Sequence, residues 1–236
     1  MEEFEVVAPV REELRPDWNV APTKKVYAIV ARSEEDGAPP QRALSVVRWG
    51  LIPSWAKDPS IGSRMINARL ETVTEKPSFK RAFASRRCLM PADGYYEWYT
   101  EEVPGGKPRK QPFYIHRRDG ASLAMAAIYE IWRDPTKLDD DANAFVVTTS
   151  VITTSATDDV GRIHDRMPQI VPKENWASWL DPTMKDSEQA LALLTPATLG
   201  GLDAYPVSTA VNAVRNNGEE LIQPIPFAED SEPTLL

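Results

Sequence analysis

The sequence is poor in cysteine and histidine. Cys88 is its only cysteine, and His116 and His164 are its only histidines. An internal disulfide and a cysteine-based metal cluster are therefore excluded, and two histidines leave little for a His-rich site. We predict no metal site and no other cofactor. A chain without disulfides suits a reducing compartment, and we expect a cytoplasmic protein.

Long apolar runs are also absent. No run approaches the roughly 18 apolar residues of a membrane-spanning helix, and the acidic start at residues 1–5 lacks the apolar core of a secretory signal. We therefore expect no membrane span. The 236 residues show no internal repeat and no linker. We predict one domain over residues 1–227 and a disordered tail at 228–236.

Strand-like segments outnumber helical ones. We predict an α+β fold, a single domain with a mostly antiparallel, curled β-sheet and peripheral helices. We expect a helix at 75–84, capped by Thr74 with Pro77 in its first turn. We also expect strands 113–117 and 123–132 to form a hairpin across Arg118-Asp119-Gly120.

The net charge of -8 taken alone argues against a nucleic-acid partner. The charges are unevenly distributed, however, because residues 42–88 contain ten Lys or Arg and three acidic residues. Such a concentrated basic segment can hold a phosphate backbone. The alternative is chance clustering on a charge-balanced surface.

Two tryptophans lie within this basic segment. Trp49 and Trp55 are separated by Gly50 and Pro53, so they belong to a loop or a strand end, next to Arg48. Aromatic rings interleaved with cations are typical of single-stranded nucleic-acid binding, where bases stack on the rings. The alternative is that both tryptophans fill the core.

A carboxylate between aromatic residues is the candidate acid–base group. Glu97 lies between Tyr96 and Trp98, and strand alternation places Tyr95 and Glu97 on one face and the other two on the opposite face. Burial among aromatic rings raises the pKa of a carboxyl group, which suits proton transfer near neutral pH. The alternative is a solvated glutamate on a polar face.

His164 follows a Thr/Ser-rich run at 148–157 and is placed in a polar loop. Asp165 and Arg166 beside it can orient the ring or tune its charge. The alternative is a histidine with a structural role only.

Five segments, taken in order, resemble one family, the SOS response-associated peptidases, also called abasic site processing proteins. The resemblance covers about residues 16–227. The segments are Val20-Ala21-Pro22-Thr23, Arg48-Trp49-Gly50-Leu51-Ile52-Pro53-Ser54-Trp55, Asn67-Ala68-Arg69-Leu70-Glu71-Thr72, the run from Cys88 to Trp98, and His164-Asp165-Arg166-Met167-Pro168.

The resemblance implies a protein that binds single-stranded DNA containing abasic sites and captures the abasic sugar covalently, with associated peptidase and lyase activities. In such proteins an N-terminal cysteine supplies an amine and a thiol that close a thiazolidine with the sugar aldehyde. By motif match, Asn67 holds the N-terminal residue, Glu97 handles protons at the sugar and His164 assists imine chemistry. We expect a monomer. The resemblance places four residues on the DNA-binding side: Arg48, Trp49, Trp55 and Arg69.

The start of the sequence departs from the family pattern. Position 2 is Glu2, where the family has the cysteine of Met-Cys-Gly-Arg. We expect that the natural start lies further upstream; the alternative is a noncovalent single-stranded DNA-binding module. Cys88 has no free α-amine and is no replacement. A hydrolase that pairs Cys88 or a hydroxyl of residues 148–157 with His164 is a third hypothesis, although the sequence has no Gly-x-Ser-x-Gly elbow.

Overall fold

Strands dominate the computed structural model, which describes residues 2–7, 12–32, 40–102, 105–138, 140–141, 143–156, 158–194 and 201–226. The predicted tail at 228–236 lies outside these residues. The strands are β1 Lys25–Arg32, β2 Gln41–Trp49, β3 Asn67–Arg69, β4 Arg87–Ala92, β5 Gly94–Glu101, β6 Arg109–Arg117, β7 Leu123–Arg133, β8 Phe145–Ser155, β9 Arg166–Pro168 and β10 Leu202–Pro206. The α-helices are α1 Lys80–Ser85, α2 Asp158–Gly161, α3 Trp176–Leu180 and α4 Ser187–Ala192.

Five strands close into a barrel in the order β2-β1-β4-β7-β8. The ring closes because β2 also pairs with β8, in parallel, at Arg48 with Thr148 and Trp49 with Thr149. The other pairings around the ring are antiparallel. Strands β3 and β9 extend β8 beyond the ring. The predicted α+β fold with a curled, mostly antiparallel sheet is confirmed.

A second, antiparallel sheet has the order β10-β6-β5. Asp93 alone separates β4 from β5, so the chain passes directly from the barrel into this sheet. Gly94 begins β5, and a Cβ there would overlap the Tyr114 ring and the Ile115 carbonyl. The absence of a side chain therefore lets β5 lie close against β6.

Side chains alternate between the inside of the barrel and its outer face. Ala28, Val30 and Cys88 belong to the inner cluster, which draws on all five ring strands. Their neighbours Ile29 and Leu89 belong to a second cluster, which packs the outer face against the helices. Burial of apolar area on both faces is what stabilises the barrel.

The predicted hairpin between 113–117 and 123–132 is wrong. A tight turn is present, since Gly120 N–H donates to the Arg117 carbonyl at 3.1 Å, but β6 pairs with β5 and β10, and β7 pairs with β4 and β8. The turn passes between two sheets rather than joining neighbours. Local turn residues indicate a change of direction and carry no information about the partner strand.

The predicted helix at 75–84 is too long. The α-helix begins only at Lys80, and no side chain caps it, so Thr74 is not its N-cap. Turns occupy 73–79, in line with the bias of the residue before Pro77 away from helical geometry. Phe79 and Phe83 share a buried face, as the spacing predicts. In the described part of the chain, no helix combines the length and the apolar character needed to cross a membrane.

Candidate active site and nucleic-acid interface

Three of the five matched motifs lie along strand β8, because β2, β3 and β9 all pair with it. Its residue Val151 pairs with Asn67 on one edge and with Ala127 of β7 on the other. Along the first edge, β2 pairs at Thr148 and Thr149, and β3 pairs immediately beyond. Four predicted residues therefore follow one another along this edge, which we call the β8-edge surface: Arg48, Trp49, Asn67 and Arg69.

The loop at 50–66 is held rigidly against the barrel. Gly50 adopts φ +114° and lies so close to Gly62 that a Cβ would overlap the Gly62 carbonyl. Trp132 Nε1 donates to the Ala56 carbonyl at 2.7 Å. Trp55, one residue earlier, is 60% exposed. This anchored loop presents the Trp55 ring to solvent, where a base can stack on it.

Trp49 has a different role from Trp55. Its ring is half-buried, and its Nε1 donates to the Ile66 carbonyl at 3.0 Å, just before β3 begins. Its backbone N–H donates to the Lys24 carbonyl at 2.9 Å. Trp49 thus ties the end of β2 to the start of β3 and so fixes the edge on which Asn67 lies.

The structure divides the cations of the basic segment into two groups. Arg69 and Lys57 are exposed and Arg48 is half-buried. Arg87, in contrast, is buried and donates to carbonyls at the ends of α1 and α3, including Phe83 O at 3.0 Å and Trp179 O at 2.8 Å. Arg86 pairs with buried Glu130 at 2.7 Å. Arg86 and Arg87 therefore stabilise the fold.

Alternation along β5 follows the prediction. Tyr96 and Trp98 pack on one face with Tyr114 and Val211, whereas Tyr95 packs on the other, at the mouth of the barrel. Glu97 shares the face of Tyr95 because the two are separated by one residue. The candidate carboxylate therefore points to the side on which the His164 segment lies.

Glu97 is half-buried on this face. Burial raises the pKa of Glu97 above its usual value, and the nearby His164 ring opposes this shift less strongly. The Trp98 backbone N–H also lowers this pKa, and Asp165 raises it. Glu97 and His164 are thus electrostatic neighbours although 66 residues separate them in the chain. We call them the proton-transfer pair.

The His164 segment folds back onto this face of β5. Val160 and Ile163 are buried against Tyr95 and Tyr99, and the His164 backbone N–H donates to the Val160 carbonyl at 3.3 Å. On the ring, Nδ1 accepts a hydrogen bond from the Arg166 backbone N–H at 3.0 Å. A neutral ring with that acceptor carries its proton on Nε2.

Arg166 has a role that sequence reasoning missed. Its guanidinium pairs with the Glu71 carboxylate through two contacts, Nη1 to Oε1 at 2.6 Å and Nη2 to Oε2 at 3.0 Å. This contact lowers the pKa of Glu71. Both residues fall inside matched motifs, which could have indicated a role for them. Because 95 positions separate them in the chain, the sequence does not show that they pair.

Several candidate nucleophiles of the hydrolase hypothesis are inaccessible. Cys88 is fully buried inside the barrel, and burial raises the pKa of its thiol to about 12. The thiolate is therefore scarce at neutral pH. Thr148, Thr149 and Ser150 are also fully buried. Within the described part of 148–157, half-buried Thr154 and exposed Ser155 remain as candidates for the hydrolase hypothesis.

Fold and site together define an α+β barrel protein that carries a candidate acid–base pair, an exposed tryptophan and exposed cations. A profile of the SOS response associated peptidase (SRAP) family matches residues 1–214. The chain belongs to this family, and the resemblance of its motifs is confirmed.

Individual relatives agree with the family assignment. The abasic site processing protein YoqW of Bacillus subtilis is 40% identical over 211 residues, which cover 89% of this chain and 87% of YoqW. The abasic site processing protein YedK of Escherichia coli is 35% identical over 227 residues, 95% of this chain and 91% of YedK. A crystal structure of a protein from Bacteroides thetaiotaomicron superposes with a TM-score of 0.68 at 28% identity, covering 86% of this chain and 82% of that one.

Proposed function

We propose that this protein binds single-stranded DNA containing an abasic site at the β8-edge surface and processes the abasic sugar with the proton-transfer pair. One observation carries the proposal: Glu97, with its raised pKa, is the electrostatic neighbour of His164, and the strand after His164 pairs with β8 at Thr153, opposite Arg69 of the β8-edge surface. Perturbed carboxyl groups beside a histidine are typical of acid–base sites. Membership of a family whose relatives are named abasic site processing proteins supports the same function.

The pair suits the chemistry of an open abasic sugar. An amine adds to the C1′ aldehyde and water leaves, which gives an imine; the departing oxygen needs a proton. A carboxyl group with a raised pKa keeps its proton to a higher pH than an ordinary glutamate and can donate it. Removal of a C2′ proton then expels the 3′ phosphate by β-elimination. We assign the proton transfers to Glu97 and His164.

Covalent capture needs a second group besides the amine. A thiol on the same N-terminal residue adds to the imine carbon and closes a stable five-membered ring. We propose that Asn67 positions that N-terminal residue. A form of the protein whose N-terminal segment begins Met-Cys-Gly-Arg is therefore expected to give a heat-stable adduct with abasic DNA, and Cys88→Ala is expected to leave that adduct intact.

The test compares abasic and intact oligonucleotides on a denaturing gel, with borohydride to trap imines. We expect Glu97→Gln to slow the reaction about 100-fold, the lower range for loss of a general acid–base group. Glu101→Gln, on the same strand, is the matched control and is expected to react like the parent. Equal rates for the two variants would contradict the assignment of Glu97.

A noncovalent single-stranded DNA-binding module is the second candidate. The exposure of the Trp55 ring and of the Arg69 side chain favours it. The discriminating experiment is anisotropy with undamaged oligonucleotide at rising salt. Arg48→Ala with Arg69→Ala is expected to reduce the salt slope by about 1.4, since each phosphate contact contributes about 0.7 on single strands. Binding without any reaction at abasic sites would favour the module.

A further inference from the structure

We propose that Glu71 and Arg166 form a clasp across β8 that holds His164 in place relative to Asn67, and that Glu71 is a positioning residue for the reaction. The effect on rate rests on the proposed function. The effect on the His164 ring does not, so the two can be tested separately.

The clasp joins three strands. Arg166 belongs to β9, which pairs with one edge of β8, and Glu71 follows β3, which pairs with the opposite edge. Between them, Arg166 Nη2 also donates to the Thr153 carbonyl of β8 at 2.6 Å and contacts Thr153 Oγ1 at 3.3 Å. One guanidinium therefore ties both flanking motifs to the strand that separates them.

The Glu71 carboxylate matters because it is the counterion of the largely buried Arg166 guanidinium. The Arg166 side chain is only 18% exposed, and its Nε is buried without a hydrogen-bond partner among the residues that the structure describes. Glu71 is the acidic residue that pairs with it, in a bidentate contact of the strong, charge-assisted kind. Removal of the Glu71 charge leaves a largely buried cation without its counterion, which favours displacement of the Arg166 side chain.

The clasp acts on His164 through the main chain. The Arg166 N–H donates to His164 Nδ1, while Asp165 Oδ1 lies 3.2 Å from the same nitrogen. These two contacts exclude each other: Nδ1 accepts from Arg166 when it has no proton and donates to Asp165 when it has one. A fixed Arg166 thus favours the ring form that carries its proton on Nε2.

The other end of the clasp acts on Asn67. Glu71 lies in the 3-10 helix Leu70–Thr72, which continues directly from β3. The carboxylate that holds Arg166 is therefore two residues beyond the strand that begins with Asn67. Neither Glu71 nor the Arg166 guanidinium has to touch the sugar for the clasp to set the geometry around it.

The ring form of His164 can be read directly by imidazole ¹⁵N NMR, because the sequence has only one other histidine. We compare Glu71→Gln with Glu75→Gln, which removes the same charge from an exposed residue four positions later. In the parent and in Glu75→Gln, neutral His164 is expected to carry its proton on Nε2. In Glu71→Gln its signals are expected to shift toward the Nδ1-protonated form, with His116 unchanged. Identical His164 signals in both variants would overturn the clasp.

The rate is measured on the same proteins in a single turnover of abasic oligonucleotide. Glu71→Gln is expected to react about 10-fold more slowly than Glu75→Gln, because displacement of His164 from its productive geometry lowers the reaction rate. Both variants are expected to bind undamaged DNA equally. A shifted His164 signal with an unchanged rate would overturn the positioning role. A parent protein that does not react at all would reject the proposed function, while the NMR comparison would still decide for or against the clasp.

Discussion

The two faces of β5 differ in how well their polar groups are satisfied. On the back face, Tyr96 donates to the Trp18 carbonyl at 2.7 Å, and Trp98 Nε1 donates to Asn212 Oδ1 at 2.7 Å. On the front face, the Tyr95 hydroxyl is buried without a hydrogen-bond partner among the described residues, and Glu97 is desolvated. The back face thus stabilises the strand, whereas the front face holds groups in costly environments, as functional sites often do.

On the back face, the largest expected effect of a substitution is a lower free energy of unfolding with an unchanged rate of reaction at abasic sites. Trp98→Ala removes a half-buried ring that packs with Tyr114 and Val211, together with the hydrogen bond to Asn212. We expect the free energy of unfolding to fall by about 3 kcal/mol. The measurement is urea denaturation, accompanied by abasic-site reaction rates in the absence of denaturant. If Trp98→Ala lost as much reaction rate as Glu97→Gln, the back face could not be assigned a role in stability alone.

The same contrast between residues for stability and residues for function is expected at the loop at 50–66. Trp55→Ala is expected to weaken single-stranded DNA binding by about 1–3 kcal/mol, the range for one stacked base, and to leave stability unchanged because the ring is exposed. The measurement is anisotropy at fixed salt together with thermal unfolding. Trp132→Phe is the control, since it removes the hydrogen bond to Ala56 rather than the exposed ring. Undiminished affinity in Trp55→Ala would exclude stacking on this ring.

The smallest expected effect compares two tyrosines. Tyr96→Phe loses a hydrogen bond and is expected to cost about 1 kcal/mol of stability. Tyr95→Phe removes a hydroxyl that has no partner among the described residues and is expected to change stability by less than about 0.5 kcal/mol. Denaturation of both variants side by side gives the answer. Equal losses would show that the Tyr95 hydroxyl is satisfied after all, for example by water.

Short-range patterns predicted much of the fold and part of the site. Alternation in β5 follows from the aromatic residues around Glu97, and the strand end at Trp49 follows from Gly50 and Pro53. What escaped prediction depends on distant partners. The hairpin failed because turn residues do not specify which sheet receives β7. Likewise, nothing local distinguishes Arg87, buried against carbonyls, from exposed Arg69.

The raised pKa of Glu97 also has a consequence for stability. A carboxyl group with a folded-state pKa above its unfolded value binds protons more tightly when folded, so stability falls as pH rises from the unfolded value of about 4.5 through the folded value. The loss is complete above the folded value. Glu97→Gln is expected to abolish this contribution in denaturation curves measured across that range, and Glu101→Gln to retain it.

The most direct test is a ¹³C NMR titration of the Glu97 side-chain carboxyl in the parent and in His164→Gln. We expect a pKa above the usual value in the parent, because the carboxyl is largely removed from solvent, and a still higher pKa in His164→Gln, because the interaction with His164 that lowers this pKa is gone. An ordinary pKa that does not respond to the loss of His164 would contradict this expectation, since Glu97 would then be a solvated carboxylate outside any acid–base pair.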